Sequence, residues 1–292
     1  MRLLVETVVG GLFGGCVIAL LAAGITIVHR STKVLNFAQG GLATLNTYLY
    51  FQATVVWGWP IALAWPAVLV AAGFIGVAAE ALTIRPLRRA DAQSRTIATV
   101  GLLLVIQWIV ITAWGAQQRF LPLLAGGGVT IAGVHLSSQN LVTAVATVAV
   151  GAGIGIVLVR TRFGLGVSAA AQDPEAARLL GVGPARVSRS TFALASVVGA
   201  VAGILATPLL VLTPSQLTLV FVVALGAALA GGFESLPRTV AAGLALGVVQ
   251  SLVATYAPFS GLPQAAGFFA VLVVLVVVRR RIDLVELLRG TA

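Results

Sequence analysis

The chain has one cysteine, one lysine, two histidines and eight acidic residues in 292 positions, and each scarcity removes a class of function. Cys16 has no second cysteine to pair with, so there is no internal disulfide framework. His29 and His135 lie far apart, with no cluster of acids or thiols around them, and supply no metal-ligand spacing. Lys33 is followed by valine, so the GxxxxGK[ST] loop that cradles nucleotide phosphates is missing and the chain reads as unable to hydrolyse ATP. Nowhere do acids, histidines or nucleophiles gather into a catalytic set, and the protein reads as non-enzymatic, with no cofactor of its own. Charged residues make up only 9% of the sequence, against about 25% in soluble domains. A soluble fold is thereby excluded.

What is present is apolar length. Hydrophobic residues reach 59% and come in blocks of about 20, the number a helix needs to cross roughly 30 Å of hydrocarbon. Backbone groups in lipid must be satisfied within the segment, so the blocks are helices. Alternating stretches of about ten residues, which a barrel needs, are absent. Nine blocks are drawn, at about 8–28, 37–56, 60–84, 96–114, 140–159, 191–213, 217–233, 239–255 and 260–278. The first is read as a retained span, because Arg2 followed by Glu6 makes a poor signal-peptide start.

The net charge of +10 does not point to nucleic acid, because the cations sit at the ends of the blocks. With nine spans and the N-terminus outside, sixteen of the eighteen lysines and arginines fall on inside segments; Arg2 and Arg119 are the exceptions. That split follows the positive-inside rule and gives an N-out, C-in topology. Residues 115–139 read as an outside loop with room for a short surface helix, and "RRRIDLVELLRG" as a stop-transfer cluster with a solvated end. "VLNFAQ" (34–39) and "VLTPSQ" (211–216) each join two spans, on opposite faces in this topology. With four spans on each side of the fifth, they suggest an inverted repeat of 8–114 and 191–278.

Polar residues inside apolar blocks are costly and mark either a pathway or helix packing. Asn36, Gln39, Gly40, Gly41 and Asn46 lie around the start of the second block, where the glycines after a polar stretch resemble a discontinuous helix end. Gln107 and Gln250 lie deeper in the fourth and eighth blocks. Pathway and packing readings stand side by side for all of these. Glu80, late in the third block, lies one turn from Arg85, and an interfacial ion pair is expected there.

The inside segment 160–190 is the most polar part of the chain. Asp173 suits an N-cap, Pro174 the first helical position and Glu175 the first turn. A short helix through Arg178, Leu179 and Leu180 then ends at Gly181 in a left-handed C-cap, and Pro184 starts a second small helix. Exposed leucines on so short a helix call for a partner surface.

Four stretches, "STKVLNFAQGGLATLNTYL", "RPLRRADAQSRTIATVGLLLVIQ", "DPEAARLLGVGPARVSRSTFALAS" and "ALAGGFESLP", occur in this order over about residues 10–278. The set resembles the branched-chain amino-acid ABC transporter permeases, most closely the first permease of the usual pair, with urea and short-chain amide permeases as relatives. The resemblance implies a type II ABC importer fold in one transmembrane permease domain, 1–292, in the bacterial inner membrane. It implies two cytoplasmic ATP-binding subunits holding ATP and Mg, a second permease subunit, and a periplasmic or lipid-anchored binding protein. Asp173, Pro174, Glu175, Arg178, Leu179, Leu180 and Gly181 would then dock into the ATPase as the coupling segment. Gln39 stands where the family often has histidine, and Glu234 and Arg238 where small residues are usual, so a mutual Glu234–Arg238 pair is expected. An importer of branched-chain or related amino acids is the resulting expectation. The alternatives are a urea or short-chain amide permease and, from another class, an ion-coupled secondary transporter using Glu80.

Overall fold

The structure, a computed structural model, describes residues 2–121, 127–131, 134–172, 174–179, 181–207 and 211–256, with Gly267, Phe269, Leu272, Val273 and Val276. The ninth expected span and the basic tail lie largely or wholly outside the described residues. The other eight blocks all fall on helices.

Among the described residues six helices are long and apolar enough to cross a membrane: α1 (Arg2–Thr32), α3 (Ile61–Thr83), α4 (Ala92–Trp114), α5 (Ser138–Arg160), α8 (Pro184–Ala206) and α10 (Leu236–Tyr256). Two shorter helices, α2 (Ala38–Phe51), extended by a π-helical turn over Gln52–Val56, and α9 (Gln216–Ala230), pack among them. The protein is a multi-pass membrane protein. Helices α6 (Arg162–Gln172) and α7 (Pro174–Leu179) connect α5 to α8.

Burial separates a centre from a periphery. Of the most apolar window in each helix, 72% is buried in α1 and α8, against 17–22% in α3, α4, α5 and α10. The outer helices turn Phe74, Ile97, Trp108 and Val148 outward, as lipid-facing surfaces do. Helix α2 is buried almost throughout. The principal neighbours are α1 with α10, α3 with α8, α1 with α8, α2 with α8 and α1 with α9.

Small residues set the closest crossing. Gly11 and Gly15 of α1 face Gly243 and Gly247 of α10, two GxxxG pairs in mutual register. A Cβ on Gly15 would stand 2.8 Å from Leu244 Cα, and one on Gly243 would stand 2.7 Å from Ala19 Cα, so only glycine admits this backbone approach. A polar bond holds the same pair nearer the start of α1, where Ser251 Oγ donates to the Thr7 carbonyl at 2.8 Å.

The connections depart from the sequence reading in three places. Residues 115–139 contain a β-hairpin, β1 (Gly128–Ile131) antiparallel to β2 (Val134–Ser137), rather than a surface helix. Thr130 and Ile131 are β-branched, as are the valines that start the pairing, so the segment favours extended backbone. Next, α8 runs unbroken from Pro184, so there is no separate small helix before the span. Its polar first turns mislead because they are amphipathic: Val187 and Ser188 face inward while Arg186 and Arg189 stay exposed. It ends at Ala206, seven residues before the expected end. Lastly, α6 fills a stretch read as loop.

Contacts between connections respect the charge split. Arg119 and Leu212 exchange two backbone hydrogen bonds, of 3.0 and 3.1 Å, joining the connections before α5 and before α9. At the other end Arg30 Nη2 donates to Ser168 Oγ at 3.2 Å, tying α1 to α6. His29 stacks against Phe233, ring centroids 4.3 Å apart, tying α1 to the α9–α10 turn.

Candidate functional site

Two places gather the residues singled out in the sequence. The first is a seam around α2. Asn36 precedes the helix and its Oδ1 accepts from the Ala38 amide at 3.1 Å, satisfying one of the donors a helix start leaves free. Its Nδ2 reaches Gln39 Oε1 at 3.5 Å, and Gln39 Nε2 donates to the Ala195 carbonyl of α8 at 2.7 Å. Two turns on, Asn46 Nδ2 donates to Ser196 Oγ at 3.1 Å and reaches the Ser196 carbonyl at 3.4 Å. Asn36, Gln39 and Asn46 are all buried. The polar face of α2 therefore reads the backbone and one hydroxyl of α8.

The glycines serve the other neighbours. A Cβ on Gly40 would stand 2.8 Å from Phe221 Cβ of α9, and one on Gly41 2.7 Å from Leu103 Cδ1 of α4. Gln107 of α4 donates to Thr218 Oγ1 of α9 at 3.4 Å, closing the ring around α2. Thr99 of α4 adds a clasp, accepting from the Phe37 amide at 3.1 Å and donating to the Leu35 carbonyl at 3.2 Å. Six of the seven expected pathway residues thus meet around α2. Gln250 does not join them: it is half-buried on α10, beside Gly267. Within the seam Asn46 Oδ1 and the Tyr48 hydroxyl are buried without a hydrogen-bond partner among the described residues.

The second place is the cation-rich end of the bundle. Gly181 has φ +81°, its amide donates to the Arg178 carbonyl at 3.0 Å, and the Val182 amide donates to the Ala177 carbonyl at 2.9 Å. These are the paired bonds of a left-handed helix stop, at the position expected from the sequence. On α7, Ala177 is buried against the bundle while Arg178 is exposed and Leu179 is 90% exposed. Pro174 and Glu175 lie in the first turn of α7. Asp173 and Leu180 lie outside the described residues.

Beside α7 opens a cavity of about 540 Å³, whose walls include Lys33, Glu80, Arg88, Arg95, Arg178 and Ser188. It joins three segments that the charge split assigns to one face. Glu80 is completely buried and pairs with Arg88, Oε1 to Nη2 3.8 Å, not with Arg85 as expected. The reason is geometric: the turn over 84–89 brings Arg88 back over the end of α3, whereas Arg85 is exposed and its amide merely donates to the Glu80 carbonyl, at 3.0 Å. Glu234 and Arg238 form no ion pair within 4.0 Å among the described residues, which corrects the expectation that they pair.

Sequence reasoning missed the partners rather than the residues. Ala195 contributes a carbonyl, which no side-chain pattern reveals, and Ser196 and Thr218 are ordinary small residues in apolar runs. The GxxxG pairs on α1 and α10 did carry a signal, the four-residue glycine spacing itself.

Comparison with known proteins bears on both places. A family model described as "Branched-chain amino acid transport system / permease component" matches residues 7–278. The High-affinity branched-chain amino acid transport system permease protein LivH of Salmonella typhimurium is 28% identical over 260 residues, covering 83% of each chain. The corresponding LivH of Escherichia coli is 27% identical over the same length, and BraD of Pseudomonas aeruginosa is 26% identical, covering 84% of this chain and 85% of its own. Among solved structures, PsaBC from Streptococcus pneumoniae in complex with Fab matches with a TM-score of 0.52 over 92% of this chain and 89% of that one, at 10% identity. That last likeness concerns the fold alone.

Proposed function

The chain belongs to the family of branched-chain amino acid transport system permease components, and from that premise we propose that it carries branched-chain amino acids inward as the membrane subunit of an ABC importer. The names of LivH and BraD support this substrate class. ATP and Mg are held by two cytoplasmic ATP-binding subunits, and this chain contributes no catalytic group. A second permease subunit completes the membrane part, and a periplasmic or lipid-anchored binding protein delivers substrate. The chain acts as one permease domain in the bacterial inner membrane, with nine spans, the N-terminus outside and the C-terminus inside.

Contact symmetry supports the inverted repeat. Exchanging α1 with α8, α2 with α9 and α3 with α10 turns the α1–α10 contact into α8–α3, α2–α8 into α9–α1, and α2–α3 into α9–α10; all six are present. The seam around α2 then lies at the junction of the repeats, where transporters place their substrate path. Asn36, Gln39, Gly40, Gly41, Asn46 and Gln107 shape that path by fixing α2 against α8, α4 and α9.

The observation that carries the coupling assignment is Leu179, 90% exposed on a six-residue helix at the cation-rich end. An apolar side chain held out on an ordered turn fits insertion into a groove of the ATPase, together with Asp173, Pro174, Glu175, Arg178, Leu180 and the Gly181 stop. ATP-driven approach of the two ATPases then pushes α7 and, through it, α6 and α8. Affinity purification of the tagged chain from its native membrane, with ATPase activity measured on the eluate, tests the reading. Co-purifying ATP-binding subunits and a second permease, with turnover raised by binding protein and leucine, are the expected result. A chain that comes down alone, without ATPase, would turn the assignment toward a secondary transporter.

A further inference from the structure

At the end of the bundle away from α7, two connections from different halves of the chain are stitched backbone to backbone. The Arg119 amide donates to the Leu212 carbonyl at 3.0 Å, and the Leu212 amide to the Arg119 carbonyl at 3.1 Å. Among the described residues this is the one backbone pairing between distant segments outside the helices and the hairpin. It runs from the strap that follows α4, residues 115–121, to the connection that leads into α9. The side chain of Arg119 fastens the strap over the end of α2. Its Nη2 donates to the Trp114 carbonyl at 3.0 Å, and its guanidinium carbon stands 5.8 Å from the centre of the Phe51 ring. Trp114 Nε1 in turn donates to Gln52 Oε1 at 2.8 Å. Beneath the clasp, Leu121 and Leu212 share one apolar cluster with Tyr48 and Phe51, and Trp114 packs against it.

Closure here leaves polar atoms unsatisfied. Arg119 Nε and the Tyr48 hydroxyl are buried without a hydrogen-bond partner, and no carboxylate lies within 4.0 Å of Arg119, among the described residues. Buried donors left unpaired are destabilising, and water admitted by opening the clasp would satisfy both. The repeat supplies an equivalent at the other end. Leu212 in "VLTPSQ" holds the place of Leu35 in "VLNFAQ". The Leu35 carbonyl is held from α4 as well, accepting from Thr99 Oγ1 at 3.2 Å. Thus the connection entering the short helix of each repeat is clasped from one end of α4, Leu35 by the helix itself and Leu212 by the strap. We propose that the Arg119–Leu212 clasp, with the apolar seal of Leu121, Leu212 and Phe51 beneath it, is the outer gate of the path along α2, closed in this structure. Movement of one repeat against the other opens it by breaking two backbone bonds and drawing the strap off α2. The inference rests on the proposed transport reading for the path and for which end is outer.

A disulfide across the clasp tests it. Residues that exchange both bonds of an antiparallel pair have Cα atoms about 5.5 Å apart, within the span of a disulfide. Arg119→Cys with Leu212→Cys, in a Cys16→Ala chain assembled with its ATPases in proteoliposomes, should cross-link on mild oxidation, read by loss of free thiols. Oxidation should abolish ATP-driven leucine uptake, and reduction should restore it; each single cysteine should be indifferent to the oxidant. Full uptake by cross-linked protein would overturn the inference, as would a folded, transporting double variant that does not cross-link. If the reduced double variant fails to assemble or to transport, a second measurement decides. Leu121 is buried at 9% exposure in the closed seal, so Leu121→Cys should react with a membrane-impermeant maleimide from outside only during turnover with ATP and binding protein. Equal labelling with and without ATP would overturn the gate. Leucine uptake by the wild-type complex tests the transport reading itself, whereas the contrast between oxidised and reduced protein tests the gate alone.

Discussion

The α2 seam and the α6–α7 segment hold polar residues in opposite ways. In the seam Asn36, Gln39 and Asn46 are buried and spend their donors on the neighbouring backbone and on Ser196. At the cation-rich end Arg178 and Leu179 stand in the open, and the Glu80 carboxylate accepts no hydrogen bond among the described residues. Amide side chains act as glue where lipid and packed helices leave no alternative partner, and exposed side chains act as handles where water and a partner surface are within reach. The two regions should therefore respond differently to substitution. Interior changes cost folded protein, and changes at the end cost function while the fold persists.

The largest effect should come from the tightest interior contact. Gly15→Leu drives a side chain into the α10 backbone at Leu244, and overpacking of this kind costs at least about 3 kcal/mol; loss of the monodisperse peak in fluorescence-detected size exclusion is the expected readout. Gln39→Leu is milder. It removes the bond to the Ala195 carbonyl and should cost about 1 kcal/mol, with leucine uptake falling more than the amount of inserted protein. If uptake per inserted molecule is unchanged, the seam is packing alone. Smaller still is the coupling between Asn46 and Ser196. A double-mutant cycle to alanine, followed by thermal unfolding in detergent, should give about 0.6 kcal/mol, the typical value for hydrogen bonds between membrane helices.

At the end of the bundle the effects on stability shrink further. Asp91 caps α4 by accepting from the Ser94 amide at 3.4 Å, and the Ser94 bond holds its carboxyl below the ordinary carboxylate value. A depressed acid stabilises the fold above its unfolded value and loses that contribution as pH falls through the folded one. Asp91→Ala should therefore lower the melting temperature slightly near neutral pH and leave it unchanged in acid. Leu179→Asp should shift stability by no more than about 0.5 kcal/mol and still abolish ATPase stimulation by binding protein and leucine. Normal stimulation in that variant would remove α7 from the coupling role and erase the contrast between the two regions.

Legibility in the sequence followed the same division. Helix positions were readable because uncharged length leaves a helix no competitor in lipid, and eight of the nine blocks fall on helices. The Gly181 stop was readable because only a few residues tolerate its φ of +81°. The start of α8 was not, because Arg186 and Arg189 on its outer face look like loop residues until Val187 and Ser188 are seen to point inward. Glu80 was recognised as costly but given the wrong partner: sequence distance favoured Arg85, and the turn that returns Arg88 is a tertiary fact. The role of Gln39 stayed open for a similar reason. Its partner is a carbonyl on a helix some 150 residues away, and backbone acceptors leave no trace in side-chain patterns.

Helix α1 has 31 residues, about 46 Å of rise, well beyond the hydrocarbon thickness. Its glycine crossing with α10 lies near the middle, and Arg30, bonded to Ser168 of α6, lies near the C-terminal end. This makes the helix a lever with two arms of similar length. From Gly15 to Arg30 is about 22 Å, so a turn of about 10° at the crossing sweeps the Arg30 end through about 4 Å. Ser251 with Thr7 and Thr26 with Thr239 tie the two helices on either side of the glycines, so they move as one body. A small tilt of the pair is thereby carried to α6, which packs beside α7.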